Sequence, residues 1–212
     1  MSSAGIPLEE LERDALTELV NIGVSRAAVS LRKMVGHPVS LTVPSLEVVG
    51  RAEAATLIEQ REAGLLIAVR QDFDGAFSGR ALLIFPESNS LALVRAVAGE
   101  DLSNSAIDAL EDEALAETGN IVLNGCLASM SNMLEQRLTF SLPQVLRGNG
   151  PMLFSASEDS PEGVVLFLYI NFTIDQRELR GYIAMLMDLP SIAALRLLMT
   201  AFIERTLGPK EG

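Results

Sequence analysis

Cysteine and histidine are almost missing from this chain: Cys126 and His37 are the sole residues of their types among 212. One thiol excludes an intrachain disulfide framework and suits a reducing compartment. Without a Cys/His cluster no zinc site is expected, and no metal ligand set is assigned. Basic residues are scarce as well, 16 against 28 acidic, giving a formal net charge of -12. That balance argues against nucleic acid or an anionic membrane as partner; it suits a basic protein patch or serves solubility. Long hydrophobic runs are missing too. The longest, Val164 to Ile174, is interrupted by Asn171 and is too short to span a bilayer. Met1 to Glu10 has neither the basic nor the apolar region of a signal peptide. No Gly-rich phosphate loop and no Ser/His/Asp arrangement is discernible. The expectation is a cytoplasmic protein.

What is present is a globular composition, 49% apolar, with a mean hydropathy of +0.31. The length fits one large domain or two small halves fused over a common core. A helical pattern runs from near Pro7 to about Val35 and is stopped by Gly36, His37 and Pro38. Alternation at Val39, Leu41 and Val43 predicts a strand. Gly64–Arg70 and Gly79–Phe85 predict two more, joined by a turn over Phe73–Ser78. Pro86 then opens a helix to about Ala98, closed by Gly99.

The second half repeats that order. Ser103 or Ser105 caps a long helix ending near Gln136. Strands follow near Leu138–Leu146, Gly163–Phe172 and Leu179–Met187, with a turn at Asp175–Glu178 and a last helix from Pro190 to about Leu207. Arg147–Glu162 reads as a mobile loop, and its counterpart Arg51–Ala63 is more helical in composition. The strands are apolar enough to need cover on both faces, so neither half is expected to fold alone. The predicted fold class is α+β: a single domain over 1–212 made of two repeats (about 7–100 and 103–208). It has pseudo-twofold internal duplication and a fused, largely antiparallel sheet covered by long helices.

The repeat carries a polar pattern. Glu18, Asn21 and Pro44 recur as Glu117, Asn120 and Pro143 at a constant offset of 99, and an acidic residue, Asp14 or Glu113, stands four positions before each Glu. With residue frequencies near 5%, such a pattern arises by chance at roughly one position in ten thousand, so descent from an ancestral copy explains the pair better. At about 100° per residue, Asp14, Glu18, Asn21 and Ser25 share a narrow helical sector, as do Glu113, Glu117, Asn120 and Asn124. Leu16, Leu19, Val20, Gly23, Ala27 and Met34 face away from the first sector, and Leu115, Val122, Cys126, Met130 and Met133 from the second. Each helix therefore buries one face and presents an acidic and amide stripe on the other. A polar face by itself needs no function.

The pattern of Asp or Ser, then Glu, Asn and Pro at these spacings resembles the signature of the CheC/CheX/FliY family of CheY-phosphate phosphatases. The resemblance covers nearly the whole chain, through DALTELVNIGVSRAAVSLRKMVG from Asp14 and EALAETGNIVLNGCLASMSNML from Glu113. Two sites, with no added switch-protein domain and no extension beyond Gly212, are read as most similar to CheC. The chain departs from the pattern at Glu113, where Asp or Ser is usual, at Val20, where Gly commonly precedes the Asn, and at Arg26.

The resemblance implies a phosphatase of a phosphorylated, CheY-like chemotaxis response regulator. Asn21 and Asn120 would position the attacking water, since a carboxamide accepts from water and donates to a phosphoryl oxygen. Glu18 and Glu117, one turn earlier, would pair with the regulator's Lys. Asp14, Ser25, Glu113 and Asn124 would extend the contact. No cofactor of its own is implied, because Mg2+ would be supplied by the regulator. The deamidase CheD is a further candidate partner, and a monomer is expected. A non-catalytic adaptor and a FliY-like switch component stand as alternatives. Pro44 and Pro143 are expected to shape an edge or bend. Leu127 lies near the polar sector, either as an apolar contact for the regulator or covered by a neighbouring loop. Cys126 is expected to be a packed thiol and His37 a surface turn residue.

Overall fold

The computed structural model describes residues 8–98, 103–155, 163–174 and 177–208. The elements in order are α1 (Glu10–Val35), β1 (Val39–Gly50), α2 (Arg51–Arg61), β2 (Leu66–Gly75), β3 (Gly79–Pro86), α3 (Glu87–Ala98), α4 (Asn104–Met133), β4 (Leu138–Phe140), β5 (Gln144–Gly148), α5 (Gly150–Leu153), β6 (Gly163–Ile174), β7 (Arg177–Asp188) and α6 (Leu189–Leu207). The α+β class and the antiparallel pairing agree with the sequence.

All pairings are antiparallel. The sheet runs β1-β6-β7-β3-β2-β4, with β5 also on β2. The first strand of each half thus pairs with the second half's or first half's opposite hairpin, β1 on β6 and β4–β5 on β2. The two hairpins meet at β3–β7 in the centre. Apolar side chains pack on both faces. The larger core lies beneath α1, α3, α4 and α6 and includes Leu16, Leu83, Leu123 and Ile183. The smaller one, with Ile58, Leu82, Phe154 and Phe167, lies beneath α2 and α5. Continuous apolar runs such as VVLFLYI in β6 follow from this double cover.

The helices α1 and α4 cross closely because small residues meet there. A Cβ built on Gly23 would fall 2.7 Å from the Cys126 Cα and the Gly125 carbonyl oxygen. Helix α1 starts at a capping box in which Glu9 and Glu12 each accept from the other's backbone N–H. At α6, Asp188 accepts from the Ser191 N–H and Pro190 sits in the first turn.

Several boundaries move. β1 continues past Val43 to Gly50, and β2 reaches Gly75, so the β2–β3 turn is shorter than Phe73–Ser78. The third-quarter strand is split into β4 and β5. The segment expected to be a mobile loop from Arg147 begins in strand β5 and continues into α5. Arg147 is held there by Glu111 at 3.0 Å and Asp112 at 2.6 Å. Its residues 156–162 lie outside the described residues, as do Pro7, Gly99 and Asp175.

Candidate functional site

Each stripe lies where a long helix passes over an edge strand. β1 forms one edge of the sheet and β4–β5 the other, so the fold holds the two stripes apart. In both edges one strand carries an extra residue beside the proline. Thr42 pairs with Asn171 and Ser45 with Tyr169, so Val43 and Pro44 oppose Ile170 alone. At the other edge, Phe140 pairs with Phe73 and Gln144 with Arg70, leaving Ser141, Leu142 and Pro143 opposite two residues. Both prolines therefore sit at bulges, where a missing N–H leaves no ladder bond unmade.

At the first edge, Asn21 closes the bulge. Its Nδ2 donates to the Val43 carbonyl at 3.0 Å, and its Oδ1 accepts from the Val43 N–H at 2.8 Å. The amide replaces the ladder partner that the bulge removes. Val43 itself is buried.

The second edge is built differently. Asn120 Oδ1 accepts from Gln71 Nε2 at 3.1 Å and from Asn124 Nδ2 at 2.7 Å. Gln71 Nε2 also donates to the Ser141 carbonyl at 3.1 Å. Gln71, on β2, thus stands between helix and bulge, and among the described residues Asn120 makes no direct bond to β4 or β5. Its Nδ2 has no hydrogen-bond partner among the described residues. Gln71 Oε1 and Asn124 Oδ1 are buried acceptors without a donor among the described residues. The helix comes close here because Gly119 lies flat on the sheet: a Cβ would sit 2.4 Å from Val69. Val20, at the matching place in α1, is itself buried.

Asp14, Glu18, Ser25, Glu113 and Glu117 are exposed, whereas Asn21, Asn120 and Asn124 are half-buried. Neither Glu18 nor Glu117 makes an ion pair with a described residue. Two expected contacts change role. Leu127 is fully buried in the larger core and cannot touch a partner. Asn124 turns its Nδ2 onto Asn120 rather than outward. The exposed apolar residue at this edge is instead Leu142, 85% exposed at the bulge. Cys126 is buried as expected, and burial pushes its thiol up to about 12. His37 is exposed. Among the described residues no three His, Cys, Asp or Glu side chains gather as a metal site. No helix among them is long and apolar enough to cross a membrane.

The family described as "Chemotaxis phosphatase CheX" matches residues 67–168, a span that contains Glu117, Asn120 and Pro143 but neither Glu18 nor Asn21. "Flagellar motor switch phosphatase FliY" of Bacillus subtilis is 25% identical over 65% of this chain. The chain spans only 36% of the length of that relative. "Putative CheY-P phosphatase CheC1" of Halobacterium salinarum is 20% identical, over 73% of this chain and 78% of that protein. The chain is similar to the CheC/CheX/FliY family over these spans. Its fold matches the crystal structure of Thermotoga maritima FliY with a TM-score of 0.72 and 17% identity, covering 93% of this chain and all of that one.

The residue that sequence reasoning missed is Gln71, 1% exposed. A signal for it existed. On β2 the positions Ile67, Val69, Gln71 and Phe73 alternate toward α4, and Gln71 is the polar one among them. A buried amide on an apolar stripe needs a partner, and Asn120 is that partner.

Proposed function

We propose that this chain dephosphorylates the aspartyl phosphate of a CheY-like response regulator, chiefly at the Glu117/Asn120 edge. The observation that carries the reading is the Asn120 amide. Its carbonyl is fixed by Gln71 and Asn124 while its Nδ2 has no hydrogen-bond partner among the described residues, one turn beyond an exposed Glu117 that pairs with no described residue. An oriented amide in this setting can place water in line with phosphorus, which is most of what phosphoryl transfer from an activated donor requires. Nδ2 donates to a phosphoryl oxygen. The water takes the place of the Asn124 donor on Oδ1 and donates its second hydrogen to Asn124 Oδ1, an acceptor without a donor among the described residues. Glu117 pairs with a lysine of the regulator, and Leu142 adds an apolar contact at the rim. The name of the Halobacterium salinarum relative supports the same substrate class, and that of the Bacillus subtilis relative a phosphatase activity. Mg2+ belongs to the regulator in this reading. At the other edge both functions of the Asn21 amide are engaged by Val43, so that site is the weaker one.

The test is decay of phosphorylated regulator at substoichiometric protein. Asn120→Ala lowers the rate by about a hundredfold, the loss expected when a reacting group is no longer positioned. Asn21→Ala lowers it less per folded molecule. Full activity in the double variant refutes the mechanism.

A second reading is a FliY-like switch component, for which the name of the Bacillus subtilis relative speaks, or an adaptor that binds CheY or CheD without turnover. Capture of regulator or CheD by the double Asn variant, with no phosphatase signal in the wild type, would select it.

A further inference from the structure

On the sheet face opposite the two Asn residues, three arginines converge on a cavity of about 210 Å3. Arg51 opens α2, Arg70 lies on β2 and Arg80 on β3, with Asp72 and Asp188 also in the wall. The alternation of β2 and β3 sends Arg70 and Arg80 to the face that holds Ala68, Leu82 and Ile84. Arg51 reaches the same place across β6, where only a glycine leaves room: a Cβ on Gly163 would lie 2.5 Å from Arg51 Nε.

The charges there do not balance. Asp72 is taken by Arg70, which donates from Nε at 3.0 Å and Nη2 at 2.6 Å. Arg80 Nε stands 3.5 Å from the same carboxylate. Asp188 accepts from the Ser191 N–H at the start of α6. Arg51 makes no hydrogen bond or ion pair with any described residue. Arg51 Nε is buried with no acceptor among the described residues, and Arg80 Nε, also buried, has only the long ion pair to Asp72 and no hydrogen bond there. Burial, together with the charge of Arg80, holds the Arg51 guanidinium below its usual range. Orphaned guanidinium donors are costly in a protein interior, and their planar forks match the oxygens of a phosphate group. In a chain of net charge -12, this local excess of cations is the opposite of the overall field. The cavity is smaller than a drug-sized pocket, which restricts its occupant to a small anion.

We propose that this cavity binds a small phosphate-class dianion, held by Arg51 and Arg80 with Arg70 fixed on Asp72 beside it. The site is independent of the phosphatase reading.

Thermal melts of the full chain test it, at constant ionic strength set by sodium chloride, with inorganic phosphate, glycerol 3-phosphate or acetate as the added anion. Expected is a saturable rise in Tm of about 4–7 °C when the phosphate-class anion reaches some twentyfold its Kd, with acetate inert. A response to inorganic phosphate alone identifies the free ion as occupant. A larger response to glycerol 3-phosphate identifies a phosphomonoester. The Arg51→Gln/Arg80→Gln variant, its fold checked by circular dichroism, loses the response. Asp72→Asn removes a competing carboxylate and tightens phosphate several-fold by isothermal titration calorimetry. The proposal is overturned by the absence of a rise beyond the chloride control, by an equal rise with acetate, or by an undiminished rise in the double arginine variant.

Discussion

Asn21→Ala should unfold this protein more readily than Asn120→Ala, although the two residues occupy matching places in the pattern. Asn21 supplies both partners of a buried backbone unit, accepting from the Val43 N–H at 2.8 Å and donating to its carbonyl at 3.0 Å. Truncation leaves two backbone groups unmade at a residue only 2% exposed. An unsatisfied buried group costs about 1–3 kcal/mol, and water can enter from the exposed Pro44 side, so the expected loss is about 2–4 kcal/mol. For a chain of this size that corresponds to a fall in Tm of roughly 5–12 °C. Asn120→Ala removes only an acceptor of two side-chain donors. Gln71 Nε2 keeps the Ser141 carbonyl and Asn124 can turn to solvent, so about 0.5–1.5 kcal/mol is lost. Urea unfolding of the two single variants, followed by circular dichroism, measures the difference directly. Equal midpoints for the two variants, or a wild-type midpoint for Asn21→Ala, would refute the argument that Asn21 is held as a strand partner.

Leu127→Ala should cost about 2–5 kcal/mol as a core truncation, while Leu142→Ser leaves stability nearly unchanged and weakens regulator binding; thermal melts and a titration with regulator separate the two. Acid sensitivity should depend on Glu12. Burial alone would raise its carboxyl, but hydrogen bonds from the Glu9 N–H, Arg196 and Thr200 outweigh that and hold it below 4.5. A carboxyl lowered in the fold takes up its proton more readily when unfolded. Its contribution is therefore complete above about pH 4.5 and lost as pH falls through the folded value. In urea titrations from about pH 7 to about pH 3, the gap between wild type and Glu12→Gln should shrink toward acid, and a gap independent of pH would contradict this account.

The element order was legible because each segment carries its own period. The α1 stripe, the alternation of β1 and the apolar runs of β6 and β7 need no distant partner to be recognised. Helix ends were equally local, set by Gly36, Pro190 and Asp188. The residue pattern that located the candidate site was also written in the chain, since Glu and Asn one turn apart share a helical sector whatever packs behind them. Leu127 was not legible: periodicity gives the direction of a side chain, but the width of the buried sector depends on how many neighbours close around α4. Gln71 left a weak trace, a lone amide on an apolar strand face.

By itself, then, the sequence determined two long helices with acidic and amide stripes, six apolar strand segments and a repeated order. Only the tertiary structure decided that β1 pairs with β6 and β4–β5 with β2, because strand pairing between the halves rests on contacts more than a hundred residues apart or on a choice among equivalent edges. That pairing creates the bulges at Pro44 and Pro143, and the bulges make the two Asn residues unequal. The Ile170 side chain opposite Val43 cannot offer a hydrogen bond, and Asn21 makes it; the Gln71 side chain, at the other edge, can, and it leaves the Asn120 Nδ2 unpartnered among the described residues. Identical residues at identical spacing became one strand partner and one oriented amide because their cross-strand neighbours differ.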